Sequence, residues 1–127
     1  MSLKYQPKEA SILICDFNGF VAPEMVKRRP VVILRKHPHN SSLVIVIPLS
    51  TTAPEKLCDH HVELPCYIPG ESEVCWAKCD MIYTLSIGRL DRAKIRTRHG
   101  GREYVVPQMT AEHFSAVKAA VVAGLKL

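Results

Sequence analysis

The stretch Glu24–Thr52, EMVKRRPVVILRKHPHNSSLVIVIPLSTT, constrains the fold more than any other part of the chain. Two apolar runs, Val31–Leu34 and Leu43–Leu49, flank the polar segment His-Pro-His-Asn-Ser-Ser. Short Val- and Ile-rich runs with a polar segment between them predict two strands joined by a loop. Pro30 fixes its own φ and drives Arg29 into extended geometry, so Arg29 leads into the first strand. Antiparallel pairing of the two strands would bring Arg29 near Ser50 and Thr51. A guanidinium beside hydroxyls at the rim of a sheet is a candidate anion site, suited to phosphate through charge-assisted hydrogen bonds. The plain alternative is a surface arginine at a solvated strand end.

The remaining elements are read in order. Residues 1–10 form a loose lead-in or short strand extension, and Ile12–Phe17 is the first strand. Asn18, Gly19, Ala22 and Pro23 mark a loop that delivers Glu24 to the next strand and is a candidate mobile lid. His60–Leu64 reads as a short strand. Val74–Tyr83 reads as another, with Cys75, Ala77, Cys79 and Met81 on one face and Trp76, Lys78, Asp80 and Ile82 on the other. Leu90–Thr97 and Glu103–Val106 flank a hairpin turn at His99-Gly100-Gly101. The C-terminus is a helix with Thr110 as N-cap, Glu112 in its first turn and Gly124 at its end. Its stripe of Phe114, Val117, Val121 and Leu125 packs on the sheet. Many short strands with one terminal helix predict a mainly β fold, a small curved sheet or barrel.

Composition narrows the function classes. The 127 residues fit one domain, residues 1–127. No apolar run approaches the roughly 18 residues that cross a bilayer, and MSLKYQPKEA lacks the apolar centre of a signal peptide. Five cysteines at irregular spacing fit free thiols in a reducing cytoplasm. A net charge of +5 points to a polyanionic partner.

An ordered set of motifs spans the chain from about Ile12 to the helix: Asp16-Phe17, Glu24-Met25, Lys27–Leu34, Ile47–Ser50, Trp76-Ala77-Lys78-Cys79-Asp80 and Ile87–Leu90. This set resembles the PemK/MazF family of toxin endoribonucleases. The resemblance implies an SH3-like β-barrel of the PemK/MazF/CcdB-like toxin fold, a homodimer whose interface forms the substrate groove, and a cognate antitoxin. It also implies cleavage of single-stranded RNA (mRNA) without metal or cofactor. The family's catalytic arginine falls on Arg29 and its strand-end threonine on Ser50, with Thr51 as an alternative hydroxyl. Lys78 and Asp80 fall on the positions of an acid–base couple, where some members carry Arg and Asp. Glu24 is a second candidate base, and Pro23 stands where some members place a histidine.

The implied chemistry is attack of a 2′-hydroxyl on the adjacent phosphorus. A base takes the hydroxyl proton, Arg29 neutralises charge on the phosphorane-like oxygens, and an acid protonates the departing 5′-oxygen. Acid–base assistance typically supplies about 10²- to 10⁴-fold and fixed charge stabilisation often more, so loss of Arg29 should hurt most.

Three further patterns complete the reading. Arg92, Lys94, Arg96 and Arg98 share one parity, so a strand there shows a cationic stripe. It is an RNA track with Arg28 and Thr51, a docking surface for an acidic antitoxin segment, or a solvated face. Trp76 either packs in the core or stacks on a base. Cys58, His60, His61 and Cys66 suggest zinc, but no Cys-x-x-Cys pair is present and adjacent strand histidines point to opposite faces, so no metal is expected. The departures at Ser50, Lys78 and Pro23 keep open a weak or inactive barrel that binds nucleic acid or a partner protein. A gyrase-poisoning toxin on the related barrel is a third reading.

Overall fold

Pairing of the two apolar runs organises the sheet. In the computed structural model, which describes residues 3–70 and 72–127, the strands are β1 (Ile12–Cys15), β2 (Arg29–Lys36), β3 (Leu43–Ser50), β4 (His61–Pro65), β5 (Val74–Lys78), β6 (Tyr83–Ser86), β7 (Leu90–Asp91), β8 (Ala93–Arg96) and β9 (Arg102–Val105). A 3₁₀ turn covers Ile87–Arg89, and the helix α1 covers Ala111–Leu125. β2 and β3 pair antiparallel with Val31 opposite Pro48, a register that leads Arg29 towards Ser50. The sheet runs β4-β5-β3-β2-β1-β7, with β6 also on β3, and β8 pairs with β9.

Both faces of the sheet are covered, which is why the central runs are apolar throughout rather than alternating. On one face Ile12, Val32, Ile47 and Leu49 meet Phe114, Val117 and Ala120 of α1. On the other, Leu13, Val31, Ile33, Val44 and Val46 pack with Phe17, Leu85 and Leu90. β3 changes partner along its free edge: Leu43–Val46 pair with β6, whereas Leu49 and Ser50 pair with β5. Pro48, which has no N–H to donate, sits in the gap between the two pairings. A bulge between Ile33 and Arg35 bends β2 opposite Val46 and Ile45, in the half of β3 that pairs with β6.

Several expectations are corrected. β4 and β7, the two ends of the strand path, do not pair among the described residues, so the sheet is open where the resemblance implied a closed barrel. Val74–Tyr83 is not one strand. β5 stops at Lys78, whose carbonyl accepts from Met81 N–H at 3.0 Å, and the chain turns into β6. Leu90–Thr97 is likewise divided, since β7 pairs with β1 and β8 with β9. Of the lead-in, residues 1 and 2 lie outside the described residues. The rest is strapped to the sheet, with Leu3 and Pro7 buried and Leu3 N–H donating to Leu90 O at 2.9 Å.

The helix begins as expected: Thr110 Oγ1 accepts from His113 N–H at 3.2 Å. It does not end at Gly124. It runs on to Leu125, and Lys126 takes the left-handed cap at φ 57°. Gly124 instead permits close approach, because a Cβ there would lie 2.6 Å from His60 Cβ. Leu125 is exposed and Ala120 takes its place in the buried stripe. No helix among the described residues is long and apolar enough to cross a membrane.

Two opposed effects meet at Gly124. Alanine gains about 1 kcal/mol in helix propensity, and an inserted methyl in a tight contact typically costs about 1–3 kcal/mol. The clash is with a Cβ close to the backbone rather than with a flexible side-chain end, so it should dominate. We expect Gly124→Ala to lower the urea midpoint; an unchanged or raised midpoint would show that the helix end moves freely away from His60.

Candidate nucleic-acid interface

The ends of β2 and β3 open onto a cavity of about 590 Å³. Its floor is apolar, with Ile12, Ile14, Leu49 and Ile68, and its walls carry Arg28, Arg29, Ser50, Thr51, Arg92, Lys94 and Tyr104. Four cationic side chains and one carboxylate, Asp91, line it. Two segments distant in sequence therefore converge, the Arg29/Ser50 pair and the first half of the basic stripe. A low-dielectric floor beneath clustered cations favours an anion.

Arg29 is the centre of this arrangement. Its Nη1 donates to Ser50 Oγ across a long 3.5 Å, while its Nε is buried with no partner among the described residues. Buried donors are nearly always satisfied, so the orphaned Nε marks Arg29 as a guanidinium whose hydrogen-bonding capacity the protein does not fill. Ser50 is itself buried, and its Oγ accepts from Thr52 N–H at 3.1 Å, which fixes the hydroxyl at the strand end. Thr51 lines the same wall but is exposed.

Other cations are differently engaged. Arg28 lies 3.7 Å from Asp91. Partial burial pushes the Asp91 carboxyl up, but hydrogen bonds, one from Arg92 N–H at 2.8 Å, and the Arg28 charge reverse this and hold it below its ordinary value. Asp91 is thus ionised at neutral pH. Arg92 and Lys94 lie over the Tyr104 ring, at 4.6 and 5.7 Å from its centroid. The stripe's alternation is as expected, with Lys94 and Arg96 outward and Ala93 buried, but Arg96 and Arg98 do not line the cavity.

The acid–base candidates are elsewhere. Lys78 closes β5 opposite His61, and Asp80 sits in the turn beyond, 3.5 Å from His60 Nε2. They are not neighbours on one strand face, because the strand ends between them. Glu24 is exposed, and its carboxylate accepts from Val21 N–H at 2.8 Å within its own loop. That loop is anchored by Arg89, which donates to Asp16 O and Asn18 O at 3.0 and 2.8 Å, and by the Phe17–Phe20–Tyr83 ring cluster. None of Lys78, Asp80 and Glu24 lines the cavity.

Trp76 is half-buried on β5 opposite Ser50. Tyr104 and Tyr67 of the cavity were missed in the sequence; an aromatic two residues into the strand facing the basic stripe was the available signal for Tyr104. Tyr67 hydroxyl bonds to His113 Nδ1 and accepts from Thr110 N–H at 3.1 Å, tying the cavity wall to the helix start. Burial raises the Cys15 and Cys79 thiols to about 12, so neither is a nucleophile.

The family model for the PemK-like, MazF-like toxin of type II toxin-antitoxin systems matches residues 8–122. The chain belongs to this family. An uncharacterised protein of Escherichia coli (strain K12), YifN, is 31% identical over 117 residues, covering 74% of this chain and 78% of that protein. MazF from Deinococcus radiodurans shares the fold with a TM-score of 0.67 at 21% identity, over 98% of this chain and 100% of that one. An endoribonuclease from a mycobacterial species, solved with its cognate antitoxin, matches with a TM-score of 0.64 at 17% identity, over 95% and 96% of the two chains. This PemK/MazF-type chain is therefore a toxin-family protein, mainly β with a C-terminal helix.

If the cavity is an anion site centred on Arg29, inorganic phosphate should raise the melting temperature of the wild type. At ten times the dissociation constant the linkage is about 1.4 kcal/mol. Arg29→Gln should lose this shift while its phosphate-free stability stays within about 1 kcal/mol, since the bond it gives up is long. An equal shift in the variant would place the anion elsewhere.

Proposed function

We propose that this chain is a metal-independent, sequence-specific endoribonuclease toxin that cleaves single-stranded RNA. The observation that carries the reading is Arg29, seated opposite the strand-end Ser50, lining a cationic cavity of about 590 Å³ and keeping a buried, unsatisfied Nε. Arg29 and Ser50 hold the scissile phosphate, and Arg29 neutralises the oxygens as the 2′-oxygen bonds to phosphorus and the 5′-oxygen leaves. Thr51, Arg28, Arg92 and Lys94 hold flanking phosphates, and Tyr104 offers a ring face for a base. Arg96 and Arg98 extend the cationic track along the hairpin. Lys78 and Asp80 are assigned to proton transfer, with Glu24 as the second base.

The protein works in the cytoplasm as a homodimer neutralised by a cognate antitoxin. Five free cysteines agree with a reducing compartment. The mycobacterial relative solved with its antitoxin supports the partner. One domain spanning residues 1–127 carries the activity.

One observation favours a second reading, a module that binds RNA without cutting it: the proton-transfer carboxylates lie outside the cavity lining. The two readings separate in one assay. EDTA-treated wild type is incubated with a long mixed-sequence RNA beside Arg29→Ala. The nuclease reading expects 2′,3′-cyclic phosphate and 5′-hydroxyl ends, with at least about a 10²-fold loss in the variant. Tight RNA binding with no cleavage by the folded wild type would establish the binding module instead.

A further inference from the structure

β3 leaves the sheet at Ser50 and the chain rejoins it at His61. In that return the donor atoms of Cys58, His60 and His61 come within 4.8 Å of one another. Two adjacent histidines within one strand would point to opposite faces. β4 begins only at His61, so His60 does not alternate with it, and the two rings lie 4.2 Å apart. A tight turn carries Cys58 to them: His61 N–H donates to Cys58 O at 3.1 Å, and Cys58 N–H donates to His61 Nδ1 at 3.0 Å. Asp80 Oδ2 lies 3.5 Å from His60 Nε2. The Cys79 N–H donates to His60 O at 3.0 Å, which ties the Asp80 turn to the cluster. The missing side chain at Gly124 lets His60 sit against the helix.

We propose that Cys58, His60 and His61, with water as fourth ligand, form a binding site for a divalent d-block cation of the zinc class. One sulfur and two imidazole nitrogens suit zinc in softness and leave one position for water, whereas magnesium and calcium take oxygen ligands. On binding, the Cys58 thiol, which now donates to Lys56 O at 3.6 Å, releases its proton to solvent, and the two histidines coordinate as neutral imidazoles. The Cys58 N–H···Nδ1 bond of His61 is exchanged for a metal–nitrogen bond. None of the three residues lines the Arg29 cavity, so the metal takes no part in binding the scissile phosphate. It pins the end of the β3–β4 loop to the first residue of β4.

The test is titration of metal-free protein with Co²⁺ and then Zn²⁺. One equivalent of Co²⁺ should give the visible bands of a tetrahedral ion and a thiolate charge-transfer band in the near ultraviolet, both removed by Zn²⁺. Cys58→Ser should lose the charge-transfer band, and His60→Gln and His61→Gln should each weaken binding about tenfold or more. Zn²⁺ should also protect Cys58 of the unaltered chain from alkylation, mapped by peptide mass, which needs no variant to fold. Absence of the charge-transfer band, its persistence in Cys58→Ser, or unprotected Cys58 would overturn the site.

Discussion

The antiparallel register of β2 against β3 is the constraint on which the rest depends. Val31 opposite Pro48 fixes Arg29 at the level of Ser50, and a slip of one residue would turn every side chain of β2 to the other face. Burial of both faces holds that register, since Val32 and Ile47 pack under the helix while Val31, Ile33 and Val46 fill the opposite core. Pro48 then allows β3 to exchange β6 for β5 where it has no donor to lose. The exchange brings Trp76 beside Ser50 and sends β5 towards the Asp80 turn. Two surface features grow from one strand end.

Those features are chemically distinct. The cavity at the strand ends is cationic, roomy and floored by aliphatic side chains, a setting that favours an anion. The Cys58/His60/His61 cluster is small and nitrogen- and sulfur-rich, and it is braced by the helix at Gly124. Burial, then the nearby His60 and Lys78 charges, push the His61 imidazole below its ordinary value against the pull of Asp80. The same residues that a strand-face argument grouped as an acid–base couple are divided in the fold. Lys78 belongs to the sheet and Asp80 to a turn.

Much of this was legible in the chain. Two Val/Ile runs, a proline that sets the first strand and hydroxyls that close the second were enough to place Arg29 near Ser50. Alternation was enough to turn Lys94 and Arg96 outward. The failures share a cause: strand ends decided by tertiary pairing rather than by local signals. No Gly or Pro marks the turn at Cys79-Asp80, so an unbroken alternating pattern read as one strand. A one-residue difference in where β4 begins changed two histidines from opposed to adjacent. Gly124 carried a helix-stop signal but serves contact with His60. The openness of the sheet depends on whether β4 meets β7, which no residue pattern reports.

The central proposal is that the Arg29 guanidinium holds an RNA phosphate. It is tested most directly by ¹⁵N–¹H spectra of arginine side chains, with the Arg29 Nε–H assigned by substitution. The protein would be titrated with RNA made uncleavable by 2′-deoxy residues. The account predicts that this one signal moves downfield and becomes protected from exchange as RNA saturates. An unmoved Arg29 signal at saturation, with shifts confined to residues around Lys78 and Asp80, would contradict it.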